Sequence, residues 1–285
     1  MLYPTSDAWR AAPNKRVMVF GMSGLGKTHM STILRETGDW FHYSIDYRIG
    51  TRYMGEHIVN SCIKAAMGHP YLREMLRQDA IYLAPNVHNH DLSAVSTYLG
   101  KPGNIEAGGL SIEEYTERQE QFRAAEIAAL NDTSYFADRG HTLYGYPHFI
   151  CDTGGSICEW VEAQDDTDEL MSSLSATCLP LWIKGDDAHT AELVRRFDKS
   201  PKPMAYQPAF LAKCWDEYLS ENNISGDKVD PNAFVRWTYA RALAHRQPRY
   251  EAMSRWGVTV SADEVANLKS ATDFDDLVAK AIERM

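Results

Sequence analysis

Five consecutive residues, Arg16-Val17-Met18-Val19-Phe20, form an apolar run that breaks into Gly21-Met22-Ser23-Gly24-Leu25-Gly26-Lys27-Thr28 and continues as helix-compatible sequence to Arg35. A short apolar run closed by glycines and followed by helical sequence reads as buried strand, tight loop and helix N-terminus. The loop fits the spacing G-x-x-x-x-G-K-[ST] in the strand-to-helix context that gives this spacing its meaning. Glycines let successive backbone N–H groups curl round one anion, and the helix end adds its positive dipole. Lysine reaches the β- and γ-phosphates, and a threonine hydroxyl ligates Mg²⁺. Gly21, Ser23, Gly24, Leu25, Gly26, Lys27, Thr28 and His29 are therefore the expected nucleotide-binding residues, with Lys27 also catalytic and Thr28 also a metal ligand. ATP and Mg²⁺ are the expected ligands.

The remaining pattern alternates. Further strands are predicted over Trp40 to Ile45, ending at Asp46, over His148 to Cys151 and over Leu179 to Ile183, with a last short one within Trp256 to Val260. Helix-compatible sequence follows each of the first three, and that alternation argues for a parallel sheet covered on both faces. From Tyr47 to Gly140 the spacing is helical. Ser111-Ile112-Glu113-Glu114 is a capping box for a helix whose inner face carries Tyr115, Gln119, Phe122, Glu126 and Ala129. Between these helices, Tyr82 to Gly109 reads as an irregular loop with one helical turn. Phe210, Leu211, Cys214, Trp215, Tyr218 and Leu219 make the stripe of an amphipathic helix. Asp230-Pro231 starts another helix, expected to run to about His245, and Thr272 is the expected cap of a terminal one. The fold class expected is α/β, a three-layer P-loop NTPase fold with a parallel sheet and a helical insertion acting as a cap. Residues 1–50 and 141–285 would form the nucleotide-binding core, and 51–140 a helical insertion.

Charge narrows the partners. Lys and Arg total 29 against 39 for Asp and Glu, a formal charge of -10, which argues against a broad nucleic-acid surface and makes any phosphate site local. No apolar run approaches the roughly 20 residues of a spanning helix, and Met1 to Arg16 lacks the apolar centre of a signal peptide, so no membrane partner and a soluble cytoplasmic protein are expected. Five scattered cysteines with no C-x-x-C pair indicate neither a disulfide framework nor a zinc knuckle. His88-Asn89-His90-Asp91 has no third ligand at diagnostic spacing and reads as exposed polar sequence.

Beyond the loop, several short stretches resemble, in order, the shikimate kinase family of the nucleoside-monophosphate-kinase-like phosphotransferases. These are Ser44-Ile45-Asp46-Tyr47-Arg48-Ile49, Gln121-Phe122-Arg123-Ala124-Ala125-Glu126, Thr153-Gly154-Gly155-Ser156, Leu181-Trp182-Ile183, Ala191-Glu192-Leu193-Val194-Arg195-Arg196, Lys202-Pro203-Met204 and Arg246-Gln247-Pro248-Arg249-Tyr250. The resemblance implies transfer of the ATP γ-phosphoryl group to a hydroxyl of a small anionic acceptor. It implies Asp46, Arg123, Gly154, Gly155 and Arg246 as substrate contacts, with Lys202 as the cation of the lid. This chain departs from the family's pattern at Ser44, Ser156 and Lys202, and the segment between Gly50 and Ser111 is longer than the family's, so shikimate itself is not implied.

Asp46 at a strand end next to the phosphate loop would hydrogen-bond the acceptor hydroxyl and act as its base; the alternative is a cap or surface turn. Asp152 closes an apolar strand as a Mg²⁺-holding acid does and would replace the acid missing at Ser44; the alternative is a helix cap. Arg123 and Arg246 offer planar bidentate donors to carboxylate or phosphate. Two other readings stay open: a nucleotide or nucleoside kinase, and a regulatory ATPase or GTPase switch whose insertion docks a protein.

Overall fold

The computed structural model describes residues 2–88 and 91–285; Asn89 and His90 of the H-x-H pattern lie outside the described residues. Five strands, β1 Arg16–Phe20, β2 Trp40–Ser44, β3 His148–Asp152, β4 Leu179–Lys184 and β5 Val258–Ser261, form one parallel sheet in the order β2-β3-β1-β4-β5. β1 is central, and Val17 to Phe20 are completely buried, as expected of a strand covered on both faces. The helix Lys27–Glu36 follows β1 and turns Met30 and Leu34 inward. The terminal helix Ala271–Glu283 buries Phe274, Leu277, Val278 and Ile282, and Trp9 from the short helix Ser6–Ala11 packs edge-on against Phe274.

The chain divides into two compact units. The first comprises residues 1–45, 130–201 and 236–285 and contains the whole sheet; the second comprises 46–129 and 202–235. The second unit is helical, with helices Gly55–Ala66, Pro70–Arg77, Ser93–Leu99, Pro208–Asn222 and most of Ile112–Asn131. These units differ from the expected division: 202–235 joins the insertion rather than the core, 46–50 also fall in the second unit, and 130–140 fall in the first. Hydrogen bonds tie 202–235 to the insertion. Gln119 is buried on the helix Ile112–Asn131, donates to Met204 O at 2.9 Å and accepts from Tyr206 N at 2.9 Å, while Tyr115 Oη also donates to Met204 O at 3.0 Å. Asn104 N donates to Val229 O at 2.8 Å and fixes the far end of the same segment.

Other expectations shift locally. β2 stops at Ser44, and Asp46 lies in the helical turn Ile45–Arg48 instead of at the strand end. The helix Pro231–Ser254 runs nine residues beyond His245 and takes Pro248 into its interior, so Arg246 to Tyr250 are helical. Ser270 rather than Thr272 caps the terminal helix, its hydroxyl accepting from Asp273 N at 3.1 Å. Half of the capping box forms: Ser111 Oγ accepts from Glu114 N at 3.2 Å, but the Glu114 carboxylate pairs with Arg118 at 2.6 Å. The described part of 82–109 holds one helix, Ser93–Leu99. Among the described residues, no helix is long and apolar enough to cross a membrane.

Candidate functional site

In the first unit the chain leaves β1 for β2 on one side of the sheet and later passes from β3 to β4 on the other, so β1 ends at the point where the strand order switches direction. Crevices at the carboxyl ends of such strands are where open parallel sheets take ligands. The glycine-rich loop occupies this place. Gly21, Gly24 and Gly26 have φ of 139, 92 and 103°, conformations that side-chain-bearing residues rarely adopt. At Gly21 a Cβ would also stand 2.6 Å from the Ile183 carbonyl oxygen of β4, so the close approach of loop and strand excludes any other residue. Gly26, left-handed, is the N-cap of the helix Lys27–Glu36.

Ser23, Gly24 and Thr28 are exposed, whereas Leu25 is buried and Lys27 is only 8% exposed. The Leu25 side chain is thus an anchor, and only its backbone can face a ligand. Lys27 Nζ donates to Gly21 O at 2.7 Å and Met22 O at 3.1 Å, drawing the ammonium across the inside of the loop. His29 is exposed, with Nε2 3.3 Å from Leu268 O, which turns it toward the chain following β5.

Beside the loop, Thr153 donates through both its amide and hydroxyl to Val19 O, at 3.2 and 3.0 Å, and so ties the end of β3 to β1. Gly155 follows. Asp152 lies within β3, in register with Val19 on one side and Ser44 on the other. Side chains of residues paired in a parallel sheet share a face, so Asp152 stands directly beside the position that lacks an acid. His42, two residues before Ser44, brings its Nε2 to 3.7 Å from Asp152 Oδ2. The helix-cap alternative for Asp152 does not hold: the next helical turn starts at Ile157 with Ser156 as N-cap.

The structure gives Arg246 a partner that the sequence did not indicate. Its guanidinium is buried; Nε donates to Glu159 Oε1 at 2.7 Å and Nη1 to Gly155 O at 3.1 Å. Burial alone disfavours the charge on Arg246, but the Glu159 carboxylate outweighs it and raises the pKa above the ordinary arginine value. For Glu159, burial pushes upward, and the bonds from His245 and Arg246 more than reverse it, holding the carboxyl below its ordinary value. Arg246 therefore sits in an internal ion pair with Glu159. Glu159 left one trace in the sequence: an acid inside the apolar run Ile157-Cys158-Glu159-Trp160-Val161, where a charge requires a buried partner. That partner is 87 residues away, beyond the reach of local pattern.

Asp46, Arg123 and Lys202 belong to the second unit. Arg123 is exposed and pairs with Glu120 at 2.9 Å across one helical turn, both side chains nearly half in solvent. Lys202 is exposed and Asp46 half-buried. A cavity of about 550 Å³ in this unit is walled by the turn at Gly103 to Glu106, the start of the helix Ile112–Asn131, and Trp215; its rim sets Glu106, Glu113 and Asp227 against Lys228. The expected site residues therefore fall into two sets, one in each unit. Lys27, Thr28, Asp152, Gly154, Gly155 and Arg246 are in the first.

Hard oxygen donors suit Mg²⁺, and the Thr28 hydroxyl and Asp152 carboxylate are such donors. Among the described residues no group of three or more His, Cys, Asp or Glu is arranged to hold a metal ion. An ion bound through few protein oxygens keeps waters and phosphate oxygens in its shell, as Mg²⁺ does.

No protein-family model matches the sequence, and no curated protein matches it. Among solved structures the chain is similar to a shikimate kinase from Bacteroides thetaiotaomicron, determined at 1.7 Å, with 15% identity over 95% of each chain and a TM-score of 0.41. At that identity and TM-score the likeness says nothing of substrate or reaction.

Proposed function

We propose that the protein is an ATP-dependent phosphotransferase, moving the γ-phosphoryl group to a hydroxyl of a small anionic molecule. The observation that carries this reading is the loop at the end of β1. Three left-handed glycines stand at the topological switch point of a parallel sheet, with Ser23, Gly24 and Thr28 open to solvent and the Lys27 ammonium drawn inside. Phosphoryl transfer needs little covalent help from protein; it needs the phosphates held and their growing charge balanced. The loop amides and Lys27 would hold the phosphates. Thr28 and Asp152 would hold Mg²⁺, which supplies positive charge against the phosphate oxygens when bound.

On the acceptor side we assign Asp46 as the base and Arg123 as the cation that meets the acceptor's anionic group, with Lys202 as the lid cation that balances charge on the transferred phosphoryl group. Arg123 remains available because an exposed pair such as that with Glu120 contributes only about 0 to 1 kcal/mol and exchanges readily for a better partner. Gly154 and Gly155 contribute backbone beside the loop. The test is direct: the full chain with ATP, Mg²⁺ and a panel of small alcohols bearing a carboxylate, a phosphate or neither, followed by phosphorus NMR. Transfer to a carboxylated or phosphorylated alcohol supports the reading. Hydrolysis of ATP with no transfer to any alcohol, quickened only by a protein partner, would replace it with the regulatory switch.

A further inference from the structure

Two buried polar side chains of the first unit converge on one backbone carbonyl. Gly155 O accepts from Arg246 Nη1 at 3.1 Å and from Tyr250 Oη at 2.5 Å. The two donors lie one helical turn apart on Pro231–Ser254, so a single rigid helix face presents both. Tyr250 is completely buried, and burial raises its hydroxyl well above the ordinary phenol range, so it stays protonated as a donor. Arg246 is held in turn by Glu159, whose Oε1 accepts from Nε at 2.7 Å and whose Oε2 lies 3.2 Å from His245 Nε2. On its other side, Gly155 meets the glycine-rich loop: a Cβ there would stand 2.6 Å from Ser23 Oγ and 3.4 Å from Ser23 N.

We infer that Arg246, Glu159 and Tyr250 are positioning residues that fix the turn after β3 as a brace behind Ser23, setting the shape of the nucleotide loop from outside it. The inference rests on the reading of that loop as the nucleotide site and gives Arg246 a different role from acceptor binding. The chemistry supports a device of position rather than of stability. A buried Arg–Glu pair is costly to desolvate, and well-packed apolar side chains of similar volume often stabilise as well or better. What the pair supplies that apolar residues cannot is a directed N–H donor on the Gly155 carbonyl, and the guanidinium fork orients that donor by binding Glu159 with another of its nitrogens. Loop amides aimed at phosphate must be held to within about half an ångström to be effective, which is the task of such a supporting layer.

Tyr250→Phe removes one donor without unpairing a charge, and Arg246→Lys keeps the charge while losing the fork. Each is compared with the wild-type full chain by calorimetric titration with ATP and Mg²⁺, and by amide hydrogen exchange across 22–28 without nucleotide. Each variant is expected to weaken ATP binding about tenfold in the folded protein and to speed exchange at Ser23 to Gly26. A double variant, Glu159→Leu with Arg246→Met, is expected to stay folded and show the same two losses. Unchanged ATP affinity and unchanged loop exchange in folded Tyr250→Phe and Arg246→Lys would overturn the brace. Faster loop exchange in the variants of a wild-type chain that does not bind ATP would contradict the nucleotide reading while supporting the brace, so the two failures are distinct.

Discussion

In the proposed nucleotide site, Lys27 is held by the protein itself. Its ammonium spans the carbonyls of Gly21 and Met22, partners that a phosphate chain would share or replace. Lys27→Met keeps the length of the stem and removes the charge; transfer is expected to fall at least a hundredfold, the scale of losing one preorganised charge contact, with folding intact by circular dichroism. Asp152→Asn keeps the shape of a side chain packed beside His42 and Ser44, and should raise the half-saturating Mg²⁺ concentration about tenfold when transfer is titrated with metal. Glu159 supplies a prediction in pH. Its carboxyl is held below the ordinary value near 4.5 in the folded state, so it contributes stability above that value and loses the contribution as pH falls through its folded value. Glu159→Gln should therefore cost about 3 to 5 kcal/mol at pH 7, because it leaves Arg246 buried without its counter-charge. In urea unfolding the difference from wild type should narrow as pH falls below 4.5, and a gap independent of pH would contradict the assignment.

At the scale of elements, the legible features were those set by neighbours in sequence. β1, β3 and β4 announced themselves because strands buried on both faces must be apolar throughout, and the faces of Ile112–Asn131 and Pro208–Asn222 followed the helical period. What was not legible depended on distant contacts. Pro248 reads as the end of a helix by local rule, since proline lacks the N–H and crowds the preceding turn. Here the helix continues through it, with Tyr250 and Met253 completely buried one turn on and Arg246 engaged with Glu159. Asp46 was expected at a strand end, yet β2 gives way one residue sooner to a helical turn. Two substitutions test the elements that set the site. Gly21→Ala adds a Cβ at φ 139° and 2.6 Å from Ile183 O, and should cost about 2 kcal/mol or more by denaturant midpoint. Gln119→Ala removes the amide that ties Met204 and Tyr206 to its helix. Met204 O keeps Tyr115 as donor, so the loss falls on Tyr206 N, about 2 kcal/mol with faster hydrogen exchange at that amide.

For the whole molecule, the parallel α/β class follows from the alternation of strand and helix, whereas the strand order β2-β3-β1-β4-β5 is a matter of which strands pair across long separations. The division into units shows the same limit. Residues 202–235 carry no mark in sequence that assigns them to the insertion; the bonds from Gln119 and Asn104 do. The charge of -10 sharpens the local argument, because a protein so acidic overall can hold a polyphosphate only where backbone amides and a fixed cation are concentrated. The loop after β1 is the place we propose. Calorimetric titration of the wild-type chain and of Lys27→Met with ATP in the presence of Mg²⁺ tests this claim most directly. The account predicts saturable one-to-one binding by the wild type and at least a hundredfold loss in a variant that remains folded; equal affinity in both, or none in the wild type, would contradict it.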